Sequence, residues 1–208
     1  MPMKEQAEMR CIIHQNRIAR VPWAVLIFFL FPAYIFSPAP GLSEEPAGRL
    51  DFFLPAPDNA VHRQYLGLST EKPFSLGQIK ARVVIVEIFS MYCPVCQREA
   101  GNINAVFRLI QSRPGLNDKV KLIGIGAGNS AYEVDFFREK YSIEFPLFSD
   151  TDFSIHKKIG EVRTPHFFCL SLEANNRFSV FYSGTGVIET PEAFLQTLLK
   201  DSGIKVAP

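Results

Sequence analysis

Val83-Val84-Ile85-Val86-Glu87-Ile88-Phe89-Ser90-Met91-Tyr92-Cys93-Pro94-Val95-Cys96 decides how the rest of this 208-residue chain is read. The first seven residues are apolar apart from Glu87. A continuous apolar run, unlike an alternating one, reads as a strand buried on both faces. A helical pattern follows from Pro94 to about Ser112, with Cys96, Ala100, Ile103, Val106, Phe107 and Ile110 on one face. Pro94 suits a first helical turn, where its missing N–H costs nothing, and Arg113-Pro114-Gly115 ends the helix. Two thiols at this spacing can close a small disulfide or hold a metal. The unpaired N–H groups and partial positive charge of a helix start favour a thiolate. Cys93 therefore reads as an activated nucleophile, and Cys96 as the thiol that resolves the mixed disulfide it forms.

Further elements follow on both sides. Upstream, Tyr65–Leu68 and Lys72–Leu76 predict a short hairpin. Downstream, Val120–Ile125 is a second buried strand, and Ser130 caps a helix to Tyr141 with Tyr132, Phe136 and Phe137 inward. Phe145–Phe148 is a short edge strand, since Pro146 cannot donate to a central ladder. A short helix over about Asp152–Ile159 is closed by Gly160. His166–Leu172 and Phe178–Tyr182 form a hairpin, and Thr190-Pro191 opens a last helix through Leu199. The order predicts an α/β fold: an N-terminal β-hairpin, then a mixed sheet with helices on both faces. There is no internal repeat.

Lys+Arg 22 against Asp+Glu 21 gives no basic bias, so nothing points to nucleic acid. The charge is uneven along the chain. Lys4, Arg10, Arg17 and Arg20 precede Val21–Phe36, sixteen residues without a charge. Ser37-Pro38-Ala39-Pro40-Gly41 follows. This order reads as a secretory signal or a membrane anchor over residues 1–43. As a helix the apolar stretch spans roughly 24 Å, short of a ~30 Å hydrocarbon core, and Pro22 and Pro32 weaken it. That favours cleavage slightly. Start of translation at Met9 would remove Glu5 and Glu8. In either case residues 44–61 read as a linker and 62–208 as the exported domain. The expected location is periplasmic or otherwise extracytoplasmic, secreted or tethered to the inner membrane through residues 21–36.

FSLGQIKARVVIVEIFSMYCPVC resembles the thioredoxin superfamily, and most of all its exported TlpA/ResA-type redoxins. C-x-x-C beside a strand-helix-strand pattern is one carrier of the likeness. Others are Tyr92 as the aromatic before Cys93, residues 130–150 as that family's central helix-strand insertion, and Val162-Arg163-Thr164-Pro165 followed by His166-Phe167-Phe168 as the T-P-x-x-F loop. The likeness covers about residues 62–200. It implies a thioredoxin-like fold, a redox-active Cys93–Cys96 disulfide, a cis Pro165, and a substrate surface at Tyr92, Thr164 and Pro165. It implies no cofactor and no metal. The partners it implies are protein thiols and disulfides and a membrane-linked thiol reductant, for example in cytochrome c maturation.

Glu87 stands six residues before Cys93 inside an apolar strand. Burial raises a carboxyl pKa, and such a group can pass protons to or from Cys96; a solvated strand end or a lysine pair is the plainer alternative. Cys169, in Phe167-Phe168-Cys169-Leu170, reads as a small buried hydrophobe, with a resolving role as the alternative. Cys11 receives no role. Two other functions compete. Ser90-x-x-Cys93 with Arg163 resembles a peroxiredoxin-type thiol peroxidase, although Val86 stands where that family has proline. His166 with the two cysteines would suit a copper-binding chaperone, but those proteins space their cysteines one residue further apart, and His166 reads better as a strand residue at the sheet edge.

Overall fold

A computed structural model describes residues 46–204. The predicted signal or anchor, Cys11 included, lies outside these residues. Among them no helix is long and apolar enough to cross a membrane.

The elements are α1 (Pro46–Arg49), β1 (Phe53–Leu54), α2 (Ala60–Leu66), β2 (Phe74–Ser75), β3 (Val83–Phe89), α3 (Pro94–Ser112), β4 (Val120–Ala127), α4 (Ala131–Tyr141), β5 (Leu147–Asp150), α5 (Ser154–Lys158), β6 (His166–Leu172), β7 (Phe178–Thr185) and α6 (Pro191–Asp201). Five strands form one sheet in the order β5-β4-β3-β6-β7, and β1 pairs with β2 in a separate small sheet. β3, β4 and β5 run parallel, while β6 and β7 are antiparallel to their neighbours. This is the mixed sheet that the order of elements predicted.

β3 is the central strand, and all seven of its residues are buried. Alternate side chains serve two cores. Val83, Ile85 and Phe89 pack with Ala100, Ile103, Val106 and Ile110 of α3 and with Leu195 and Leu198 of α6. Val84, Val86 and Ile88 pack on the opposite face with Leu50, Leu54, Leu66, Phe74 and Leu76. Each such side chain contributes about 1.5–3 kcal/mol on full burial, so the strand that ends at the cysteines is held from both sides. Phe89, at its end, stacks on Phe137 of α4 with centroids 4.7 Å apart.

The N-terminal part differs from its sequence reading. Tyr65 and Leu66 belong to helix α2, which Asn59 caps by accepting the Val61 N–H at 2.8 Å and which Gly67 ends at φ +69°. The true partner of β2 is β1, in the register Phe53↔Ser75 and Leu54↔Phe74. Residues 50–54, assigned to a linker, bury Leu50, Phe52 and Leu54. Their two-residue periodicity was masked by the surrounding Pro, Ala, Glu and Asp. The helix α4 also turns differently from expectation. Val134 and Phe137 are its buried residues, whereas Tyr132 and Phe136 are exposed. The edge strand starts at Leu147, with Pro146 outside the ladder and its carbonyl accepting the Gly124 N–H at 3.0 Å.

Candidate active site

The site is assembled where β3 stops and α3 begins. Cys93 is the N-cap of α3, with extended backbone at φ −81° and ψ 113°. Its sulfur accepts the Cys96 N–H at 3.3 Å, one of the orphan donors of the helix start. As a thiol it donates to the Thr164 carbonyl, also at 3.3 Å. Thr164–Pro165 is a cis peptide bond, so the loop before β6 has the form the sequence resemblance implied. Cys93 is partly exposed, Cys96 is fully buried, and both thiols are free.

These surroundings split the two thiols. Partial burial pushes the Cys93 pKa up. Bonds with the Cys96 thiol, the Thr164 side chain and the Cys96 and Val95 N–H groups outweigh it, so the net direction is down. Burial drives Cys96 well above the ordinary thiol range, and the bond to Cys93 and the charges of Glu87 and Cys93 add to this. The surroundings thus favour ionisation of Cys93 over that of Cys96.

Glu87 is 2% exposed and lies on the Ile85–Phe89 face of β3. Burial first, then the charges of Glu99 and Cys93, push its pKa up to about 8. The alternative of a solvated strand end is excluded. Glu99 escaped the sequence reading. It is buried on α3 one turn beyond Cys96, where it accepts the Ile188 N–H at 2.9 Å and an Asn102 amide N–H at 3.2 Å. The signal was present: Cys96, Glu99, Ala100 and Ile103 share one helical face, and an acid on an otherwise apolar face is conspicuous.

The loop before Cys93 is tied to the β4–α4 junction. The Met91 N–H donates to Oδ1 of Asn129 at 2.8 Å, and Gln97 donates to the Met91 carbonyl at 2.7 Å. The Tyr92 hydroxyl donates to Glu133, which also accepts from the Ser130 N–H in the capping box of α4. Asn129, wholly buried, is a second residue that the sequence did not mark. Tyr92 remains 65% exposed beside Cys93.

Two other candidates are buried among partners of their own. His166 is buried on β6, which lies between β3 and β7, so it is not at the sheet edge. Its ring nitrogens meet the Thr185 hydroxyl at 2.6 Å and the Ser183 hydroxyl at 3.0 Å, leaving neither for a metal. Cys169 is fully buried opposite Ile85 and Tyr182, and burial pushes its pKa up.

The family model for AhpC/TSA matches residues 54–189, more than half of the chain. The chain belongs to the AhpC/TSA family. Its fold is thioredoxin-like. A secreted Mycobacterium tuberculosis disulfide oxidoreductase homologous to E. coli DsbE superposes with a TM-score of 0.53 at 16% identity, over 73% of this chain and 97% of that one. StoA from Bacillus subtilis gives 0.50 at 18%, over 70% and 93%. At such identities the likeness speaks for the fold. No curated protein matches this AhpC/TSA chain in sequence.

Proposed function

We propose that this AhpC/TSA member is an exported thiol–disulfide oxidoreductase that reduces protein disulfides through Cys93 and Cys96. The observation that carries the reading is a partly exposed Cys93 at the N-cap of α3, its sulfur accepting the Cys96 N–H, with Cys96 fully buried three residues on. The Cys93 thiolate attacks a substrate disulfide, forming a mixed disulfide and releasing the first substrate sulfur as a thiolate. Cys96 then loses its proton and attacks the Cys93 sulfur. The Cys93–Cys96 disulfide forms, the second substrate thiolate leaves, and two electrons have passed to the substrate. A dithiol donor on the membrane side restores the pair.

Glu87 is the proton acceptor for Cys96 in this reading. Part of its raised pKa comes from the Cys93 charge. That charge vanishes when Cys93 enters a mixed disulfide, so more of Glu87 is ionised at the step that needs a base. Thr164 and Pro165 form the docking edge. Once the Cys93 sulfur has no proton to donate, the Thr164 carbonyl is released to accept an N–H from the substrate chain. Tyr92, exposed beside the sulfur, is the apolar contact.

Reductase activity on insulin, with peroxide consumption and copper titration run in parallel, separates this function from a thiol peroxidase and a metal chaperone. A potential for the Cys93–Cys96 couple near ~−270 mV or below marks a reductant, and one near ~−120 mV an oxidant. The residues before the domain support an extracytoplasmic setting, with the apolar stretch 21–36 as signal or tether and cytochrome c maturation as one pathway that needs such a reductant.

A further inference from the structure

Beside Cys93 lies a cleft of about 400 Å³, lined by Tyr92, Ala127, Gly128, Phe153, His156 and Arg163, with Thr164 at its border. We propose that this cleft receives the residue adjacent to the substrate's reactive cysteine, and that Arg163 selects an acidic side chain there. The proposal rests on the thiol–disulfide reading and names its substrate class: a polypeptide segment with a carboxylate beside the cysteine.

The cleft is a built feature. Phe153 is 43% exposed and held at φ 60°, a left-handed conformation that costs a bulky residue free energy and collects at functional sites. Its ring lies against Gly128, and its N–H donates to the Asp150 carbonyl at 3.1 Å. A Cβ at Gly128, itself at φ +66°, would lie 2.0 Å from the Phe153 ring. Asp150 is buried and accepts the Ile155 and His156 N–H groups at 3.0 and 2.8 Å, which fixes the start of α5. His156 in turn bonds the Val162 carbonyl at 2.8 Å, joining α5 to the Thr164 loop. Phe153 thus forms an apolar wall of the same cleft that Tyr92 and Thr164, the neighbours of the Cys93 sulfur, border.

Arg163 supplies the charge. It is exposed, directly precedes Thr164, and has no ion pair or hydrogen bond among the described residues. Two acids of this corner are engaged elsewhere, Glu133 by Tyr92 and Ser130 and Asp152 by the Ser154 N–H, while Glu161, two residues before Arg163, is exposed and makes no ion pair with it. A guanidinium with free donors meets a carboxylate in bidentate geometry. At an exposed rim such a pair is worth about 0.2–1 kcal/mol, which converts to a preference of up to about fivefold.

The test uses the full chain, reduced, and three peptide disulfides that differ only in Glu, Ala or Lys beside the cysteine. The rate of dithiol consumption is followed for each. The Glu peptide is expected to react about three to five times faster than the Lys peptide at low ionic strength, with the ratio shrinking as salt is added. Arg163→Lys should keep the order and Arg163→Glu should reverse it. Ratios within each variant cancel any change in overall activity. Equal rates for the three peptides, with all of them reduced, overturn the acidic subsite and leave the redox reading standing. Failure of the unaltered protein to reduce even neutral 2-hydroxyethyl disulfide overturns both.

Discussion

The Cys93 thiol and the Thr164 carbonyl, 71 residues apart in sequence, meet at 3.3 Å across the mouth of the site. The contact joins the helix start that activates the sulfur to the loop proposed to hold the substrate. It is made while Cys93 carries its proton; in the proposed reading, loss of that proton leaves the Thr164 carbonyl free to accept an N–H of the substrate chain.

The reduced protein should be alkylated by iodoacetamide at Cys93 alone at neutral pH. Cys96 and Cys169 are fully buried with raised pKa values, so their rates should be lower by a factor of about ten or more. Peptide mapping after short exposure reads this directly. Comparable labelling of Cys93 and Cys96 in the native state would contradict the assignment of nucleophile.

Cys96→Ser should trap partner proteins as mixed disulfides on Cys93, because the resolving thiol is what releases them. Non-reducing gels of the variant, with and without a second Cys93→Ser change, check it. Trapping that survives the loss of Cys93 would reverse the roles.

Glu87 gives a pH signature with a definite sign. Its pKa is raised in the fold from 4.5 to about 8, so the native state keeps a proton that the unfolded chain releases. The associated stability is fully present below about pH 4.5 and is lost as pH rises through about 8. Glu87→Gln should flatten that decline, by roughly a few kcal/mol over the window, and should slow the resolving step. Urea midpoints at about pH 5 and pH 8 measure the first effect. Parallel pH dependences in the two proteins would rule out a buried, proton-holding Glu87.

Glu99→Gln should lower the Glu87 pKa, since the Glu99 charge is the second cause of its elevation. Glutamine can still accept the Ile188 N–H. The pH midpoint of the resolving step should therefore move down while the fold persists. A midpoint that stays in place would uncouple the two acids.

Gly128→Ala should be destabilising by roughly 1–3 kcal/mol, because the new methyl must displace Phe153 or the backbone at φ +66°. A denaturant midpoint equal to that of the unaltered protein would show that Phe153 yields freely and that the cleft wall is soft.

The residues 83–112 were legible as a buried strand and a helix because both patterns are local. All seven residues of Val83–Phe89 are buried, and α3 runs from Pro94 to Ser112. The same holds for Ser130 and Thr190 as caps, since a hydroxyl and the N–H three residues on are neighbours in the chain. Placing Cys93 at a helix start, Cys96 inward and Glu87 in an apolar strand required nothing beyond spacing.

Long-range pairing was decided only in three dimensions. Phe53 and Leu54 find Ser75 and Phe74 across the nineteen residues between the two strands, several of which became a helix rather than a hairpin arm. Tyr132 and Phe136 are apolar enough to suit a core, yet Phe89 and Phe145 occupy it with Phe137, and the outer pair stays exposed. The Glu99 charge acts on Glu87 only because α3 folds back over β3. Local spacing determines which residues present to a strand face or a helix end. Which of those faces meet is set by packing among segments that the chain separates, and with it the acids, the carbonyl and the cleft that surround Cys93.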